Sequence, residues 1–250
     1  MTKIISYSLW GDNPKYTVGA VINAYQAREI YPDWQARFYC APSVPKKIIS
    51  QLQEARAEVF ISPECDGIFG PFVRFFAIDD AGVERVIFRD TDSRLTQREA
   101  VAVQEWISSN LAGHIMRDHP CHAMVMLSGM WGCKGGVLPN MKQASQNFAP
   151  NDTYLEDQFF LAKLIYPLLR RQGVLVHDDF FAYEQDARPF TSARREYDFI
   201  GEVFDANGQR GPEWQQLQQI ETLRGHRLRF KLHRFKRKMR ERILGYNGFI

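Results

Sequence analysis

The chain has 250 residues, 45% hydrophobic and 24% charged, which suits one large α/β domain or two small ones with a core that needs no staples. No run approaches the ~18 consecutive apolar residues of a membrane span, and the start MTKIISYSLW lacks the basic and long apolar regions of a signal peptide, so the sequence reads as cytoplasmic. The net charge of +3 is uneven: from Leu223 to Ile250 ten Lys or Arg face one Glu, which gives the tail +9 and the body −6, unlike a uniformly basic nucleic-acid binder.

The elements follow in chain order. Lys3–Trp10 is short, apolar and β-branched in part, and predicts a buried strand ending at Gly11-Asp12-Asn13-Pro14. Thr17–Ile30 predicts a helix with Val18, Val21, Ile22 and Tyr25 on its apolar side. Trp34–Ala41 predicts a second strand, Pro45–Ala55 a helix opened by proline, and Ala57–Ser62 a third strand. This alternation argues for a parallel sheet with helices on its faces. Pro71–Ile78 then reads as helix, Val83–Phe88 as a strongly apolar strand, and Thr96–Asn110 as a helix with Val101, Trp106 and Leu111 inward. Gly113–Met116 reads as strand, Met124–Gly136 as an apolar then glycine-rich stretch, and Asn151 or Asp152 as the cap of a helix running to about Arg171. Val174–Val176 is a strand ending at His177-Asp178-Asp179. Beyond Tyr183 the alternation fades into loop, with a short strand at Phe199–Phe204 and helix over Pro212–Leu244. The expected organisation is a catalytic domain over 1–211 and a basic helical extension over 212–250.

The chemistry centres on Asp90 and Asp92. Open α/β sheets bind ligands at the carboxyl ends of their strands. Alternate residues of an extended segment point the same way, so both carboxylates can face one Mn²⁺ or Mg²⁺ that completes its shell with diphosphate oxygens and water. Arg89 and Arg94 flank the pair. Arg74 precedes it on a helix, within reach of phosphate. His114–His122 is dense in ionisable groups, and Arg117, Asp118, His119 and His122 suit sugar hydroxyls or a diphosphate. The cysteines Cys40, Cys65, Cys121 and Cys133 form no Cys-x-x-Cys pair, so they read as reduced thiols rather than a zinc site.

The run Val86-Ile87-Phe88-Arg89-Asp90-Thr91-Asp92-Ser93 resembles the Asp-x-Asp segment of GT-A-type glycosyltransferases, with some likeness to family 8. Ser128–Gly136 resembles the glycine-containing loop beside the donor sugar in that fold. Leu155-Glu156-Asp157-Gln158 resembles its acidic helix start, and His177 stands where many such enzymes hold a metal-binding histidine. The likeness spans residues 3–183. It implies a GT-A (Rossmann-like) fold and a sugar transferred from a nucleoside diphosphate sugar, foremost a UDP-sugar, to a hydroxyl acceptor. The metal ligands would be Asp90, Asp92 and His177. Tyr7, Trp10, Arg74, Asp90, Arg117 and Lys134 would hold the donor, and Asp118, His119, Gly129 and Trp131 the sugars. Glu156 and Asp157 would serve the acceptor, Asp157 as base if the reaction inverts.

The segment Arg227–Leu244 carries Leu228, Leu232, Phe235, Met239 and Ile243 as one apolar stripe among basic residues. Such a helix suits an anionic membrane surface and a lipid-linked glycan acceptor at its inner face, or docks on the domain instead. Two other functions compete: a phosphatase of the haloacid dehalogenase type, which expects Thr or Val where Arg94 stands, and a non-catalytic domain binding nucleotide or glycan.

Overall fold

The structure, a computed structural model, describes residues 1–148 and 155–222. Its centre is a seven-stranded sheet: β1 Thr2–Leu9, β2 Gln35–Cys40, β3 Glu58–Ile61, β4 Val83–Phe88, β5 Gly113–Arg117, β6 Trp131–Lys134 and β7 Val174–Asp178. The strand order is β3-β2-β1-β4-β6-β5-β7. Every pairing is parallel except those of β6, which runs antiparallel to β4 and β5. This is a mostly parallel, Rossmann-like sheet flanked by helices, as the β-α alternation predicts. The one reversed strand matters most. It brings the start of β6 to the edge where β4 ends, and carries the end of β6 to the opposite edge.

The helices are α1 Pro14–Ile30, α2 Lys46–Glu54, α3 Gly70–Val73, α4 Gln97–Ser109, α5 Met141–Phe148, α6 Glu156–Phe160, α7 Tyr166–Gln172 and α8 Trp214–Thr222. Two apolar clusters fill the faces of the sheet. One lies under α1, α2 and α4 and includes Tyr7, Phe38 and Trp106; the other includes Phe72, Phe75, Phe88, Trp131 and Phe160. The α6 and α7 segments join through a π-helical turn at Leu161–Ile165. Pro167, two residues beyond it, supplies the reason: it lacks an N–H and crowds the carbonyl of Lys163, four residues back.

Two helix faces differ from the sequence reading. In α1 the buried residues are Thr17, Gly19, Ala20, Asn23, Ala24 and Ala27, while Tyr25 is exposed. The helix docks by its small residues because it lies close to the loop after β4. A Cβ on Gly19 would stand 2.1 Å from the Thr91 carbonyl oxygen, so only glycine permits the approach. In α4, Arg98 and Glu99 are buried with Ala102, Val103 and Trp106, and Val101 is exposed. The 71–78 helix is split into α3 and a 3-10 turn over Arg74–Asp79. Phe199–Phe204 forms only isolated bridges, Ser93 to Val203 and Phe204 to Arg210. The helix cap at Asn151 or Asp152 and the apolar stripe beyond Leu223 lie outside the described residues. Among those described, no helix is long and apolar enough to cross a membrane.

Candidate active site

Strand register sets the floor of the site. Ser6 of β1 lies beside Phe88 of β4, so Ser8 comes level with Asp90 two residues on. Phe88 also faces Trp131 of β6, which brings Gly129 opposite Asp90. The side chains agree: a Cβ on Gly129 would stand 2.0 Å from Asp90 Oδ2, so glycine is what leaves room for that carboxylate. Asn23 of α1 donates to the carbonyls of Thr91 (3.3 Å) and Ser93 (2.9 Å), pinning the Asp-x-Asp loop from behind. Arg89 turns away from the opening. It is buried against Glu99 at 3.0 Å and donates to the Phe88 carbonyl at 2.7 Å, which locks the end of β4.

The loop opens on a crevice of about 60 Å³ lined by Ser8, Leu9, Trp10, Tyr16, Arg74, Asp90, Thr91 and Asp92. Arg74 is its central feature. One guanidinium nitrogen donates to Asp90 Oδ1, and the other donates to Asp157 Oδ2 at 3.1 Å. Residues 74, 90 and 157, far apart in the chain, thus share one guanidinium, and Glu156 stands next to Asp157 at the start of α6. Lys15 pairs with Asp92 at 2.8 Å. Burial pulls the Lys15 ammonium down, but the hydrogen bond and charge of Asp92 outweigh it and hold its pKa above the ordinary value. Arg74 behaves likewise, with burial opposed and overcome by Asp90 and Asp157. Each carboxylate of the pair thus already has a cationic partner.

Lys15 was not legible as a site residue, although a signal exists. A cation in the first turn of a helix opposes the helix dipole, so it needs a partner, and Asp92 is that partner. Trp10, Arg74, Asp90, Asp92, Gly129 and Asp157 are brought together as the sequence suggested.

Others are held elsewhere, each for a physical reason. His177 lies on β7, three strands from β4 and so about 14 Å away. Both its ring nitrogens are taken, by His114 Nε2 and by Glu105 Oε2, each at 2.9 Å, so it does not complete a shell with Asp90 and Asp92. Burial, then the neighbouring His177, pushes the His114 pKa well below the ordinary value; burial also lowers His177, against Glu105. Lys134 sits at the far edge of the sheet, because β6 is antiparallel, and its ammonium binds the Asn110 carbonyl at 2.7 Å. Tyr7 stacks on Phe38 at 4.5 Å inside the core, where burial drives its pKa up. Trp131 is fully buried against Phe88, with centroids 4.3 Å apart.

Arg117, Asp118 and His119 belong to a sealed ionic cluster at the ends of β5 and β7. Arg117 pairs with Asp178 at 2.8 Å and with Glu184. Asp118 receives Arg98 twice, at 2.8 and 2.9 Å, and Arg194 at 2.6 Å. His119 stacks on Phe199 at 4.2 Å, and its Nδ1 accepts the Cys121 N–H at 3.1 Å. His122, its pKa pushed down to about 3 mainly by burial, accepts the Asp118 N–H. Cys133 is buried in the core and Cys121 exposed. Among the described residues no three His, Cys, Asp or Glu side chains gather as a metal cage.

No protein-family model matches the chain, and no curated protein matches its sequence. Similar folds occur among solved structures. Residues 1–349 of TarS from S. aureus align over 72% of this chain and 58% of theirs, with 13% identity and a TM-score of 0.48. A glycosyltransferase involved in the glycosylation of the major capsid of PBCV-1 aligns over 71% of this chain and 82% of its own, with 15% identity and a TM-score of 0.44. A putative glucose-1-phosphate thymidylyltransferase from Bacillus anthracis aligns over 70% and 86%, with 10% identity and a TM-score of 0.47. At these values the likeness concerns the fold, and the function rests on the site.

Proposed function

We propose that the chain is a metal-dependent glycosyltransferase that moves a sugar from a nucleoside diphosphate sugar, foremost a UDP-sugar, to a hydroxyl of a glycan or lipid-linked acceptor. The observation that carries this reading is the Arg74 guanidinium bonded to both Asp90 and Asp157, at a crevice that also exposes Asp92 and Trp10. It joins a metal-type carboxylate, a phosphate-type cation and an acceptor-side carboxylate in one place.

Two hard carboxylates fit Mn²⁺ or Mg²⁺ held jointly with substrate phosphates, a mode that Mg²⁺ favours, and do not amount to an all-protein cage. When bound, the metal supplies charge neutralisation for the departing diphosphate. The chain's own residues do the rest. Lys15 and Arg74 leave Asp92 and Asp90 and bind phosphate oxygens, Arg74 by its fork. The exchange also opens the crevice, which at about 60 Å³ is smaller than the several hundred Å³ usual for such ligands. Trp10 and Tyr16 offer aromatic faces to the base. Gly129 leaves the donor side clear beside Asp90. Asp157, released from Arg74, orients the acceptor hydroxyl with Glu156, and accepts its proton if the reaction inverts. The basic tail brings the domain to an anionic membrane surface.

A panel of sugar nucleotides tested for Mn²⁺-dependent hydrolysis decides the reading. At least one donor is hydrolysed, and Asp92→Asn abolishes this while circular dichroism and melting stay unchanged. Undiminished turnover in Asp92→Asn rejects the metal assignment; cleavage of phosphate esters with no sugar nucleotide touched turns the reading to a phosphatase. Liposome flotation of the full chain against one ending at Gly225 tests the tail, and equal flotation sinks the membrane role.

A further inference from the structure

The sheet has two edges, and the chain treats them differently. At the β7 edge it covers the strand: the Arg188 N–H donates to the Val176 carbonyl at 2.8 Å, and the Asp178 N–H donates to the Arg188 carbonyl at 2.8 Å. At the other edge β3 pairs with β2 and, among the described residues, with no further strand. Phe60 and Ile61 are 47% and 58% exposed there. Edge strands of monomeric proteins usually carry a lysine, a proline or a bulge that blocks a further strand. Glu58-Val59-Phe60-Ile61 carries none of these, and its register with β2 is unbroken.

One bond fixes where the free backbone groups point. The Ser62 N–H donates to the Cys40 carbonyl at 2.8 Å, so residue 62 faces β2. Directions alternate along a strand, so Phe60 and Glu58 face β2 as well, and the N–H and C=O of Val59 and Ile61 point out of the sheet. An antiparallel neighbour must set outward residues opposite outward residues. A two-fold axis at Val59 needs Ala57, whose N–H already donates to the Leu52 carbonyl at 3.0 Å. An axis at Ile61 needs Pro63, which has no N–H. An axis at Phe60 sets Val59 opposite Ile61 of a second copy, and each such pair exchanges both of its N–H···O bonds.

The side chains agree with that register. Phe60 meets Phe60 of the second copy at the position without hydrogen bonds, where Cα atoms approach to about 4.5 Å and side chains come closest. Its ring is already held on the sheet by Tyr39 at 5.5 Å and the Arg37 guanidinium at 5.1 Å, so little freedom is lost on pairing. Charge agrees too. The exposed Arg56 precedes the strand, and Glu64 and Asp66 follow it. An antiparallel copy lays each basic end beside an acidic one, whereas a parallel copy lays like beside like.

We infer that the chain pairs with a second copy of itself through β3, antiparallel about Phe60, and so joins two sheets into one across a two-fold axis. The copies run in opposite directions, so their Asp90–Asp92 crevices open at opposite ends of the joined sheet and neither blocks the other. A strand of 4 residues makes a small contact, and the dimer is therefore concentration-dependent. The pairing uses nothing of the transferase reading and survives its failure.

Sedimentation velocity of the full chain tests it, from about 1 μM to about 1 mM, where weak protein pairs dissociate. The sedimentation coefficient rises with concentration to the value of a dimer. Phe60→Glu sets two carboxylates face to face, and Ile61→Pro removes an outward N–H while sparing the ladder to β2. Both variants stay monomeric and melt as the parent does at low concentration; Phe60→Glu decides alone if Ile61→Pro lowers the melting temperature. The register has its own test in a Cys121→Ser background, which removes the exposed thiol. There Phe60→Cys cross-links under oxidised glutathione and Val59→Cys does not, because only the first meets its own copy. A parent that is monomeric throughout, or a dimer kept in either folded variant, overturns the pairing. Phe60→Cys cross-linking no better than Val59→Cys overturns the register.

Discussion

Two strand ends in this molecule look alike as sequence and differ as structure. After β4 the chain reads Arg89-Asp90-Thr91-Asp92; after β5 and within β7 it reads Arg117-Asp118-His119 and His177-Asp178-Asp179. Both are apolar strands running into charge. At the first, Asp90 keeps a side chain 44% exposed, and its partner Arg74 is shared with Asp157 across an open crevice. At the second, Arg117, Asp118 and Asp178 have no exposed side-chain surface at all. Asp178 also accepts the N–H groups of Phe180, Phe181 and Ala182, so it closes its own loop. The lesson is that charge at a strand end marks a site only when part of its bonding capacity remains unspent and reachable. The sealed cluster instead ties residues 178–200 to the sheet.

The largest effect expected from breaking the contrast is in the sealed cluster. Arg117→Met leaves Asp178 and Glu184 buried without their cation and costs about 3–5 kcal/mol; urea unfolding measures it, and turnover per folded molecule stays as before. A loss under 1 kcal/mol would mean the cluster is not a staple.

Acid comes next. His114, His122 and His177 are all held below the ordinary histidine value, chiefly by burial. The unfolded chain therefore binds protons first, so their contribution is present above about pH 6.5 and is lost as pH falls below it; for His122, whose pKa lies at about 3, the loss approaches about 1.4 kcal/mol per pH unit between those values. His122→Asn keeps an acceptor for the Asp118 N–H and removes one titrating group, so the slope of stability between pH 6.5 and 5 flattens by that amount. An unchanged slope refutes the assignment to His122.

The smallest effect sharpens the open side. Gly129→Ala forces a methyl onto Asp90 and lowers Mn²⁺-dependent nucleotide affinity about tenfold, or about 1.4 kcal/mol, with little change in melting. Equal affinity would show that Asp90 has room to move.

The β-α alternation and the strands at 35–40, 58–61 and 83–88 were legible because each is a short apolar run bounded by turn residues, a local signal. So was the place of Asp90 and Asp92, since a carboxyl strand end is a binding edge in any such sheet. Whole-face reading failed in α1, where packing distance outweighed hydrophobicity: the helix came too near the Thr91 carbonyl for anything larger than Gly19 on its inner face. Lys134, Trp131 and His177 failed for a different reason. Their positions depend on which way β6 runs and how many strands separate β7 from β4, and neither is written in local pattern.

By itself, then, the amino-acid order determined most strands of the β-α alternation, the long helices between them and the place of Asp90 and Asp92 at a strand end, because propensity and periodicity act over neighbouring residues; the reversed β6 and the split of 71–78 were not written there. Only tertiary structure decided which charged residues meet. Arg74 reaches Asp157 across 83 positions of chain while also holding Asp90, and Lys15 at the start of α1 finds Asp92 in the loop after β4. Arg117, as rich in donors as Arg74, is sealed away because the chain after β7 folds back over it. Partnership among charges depends on distance and burial, and these exist only once the sheet is assembled.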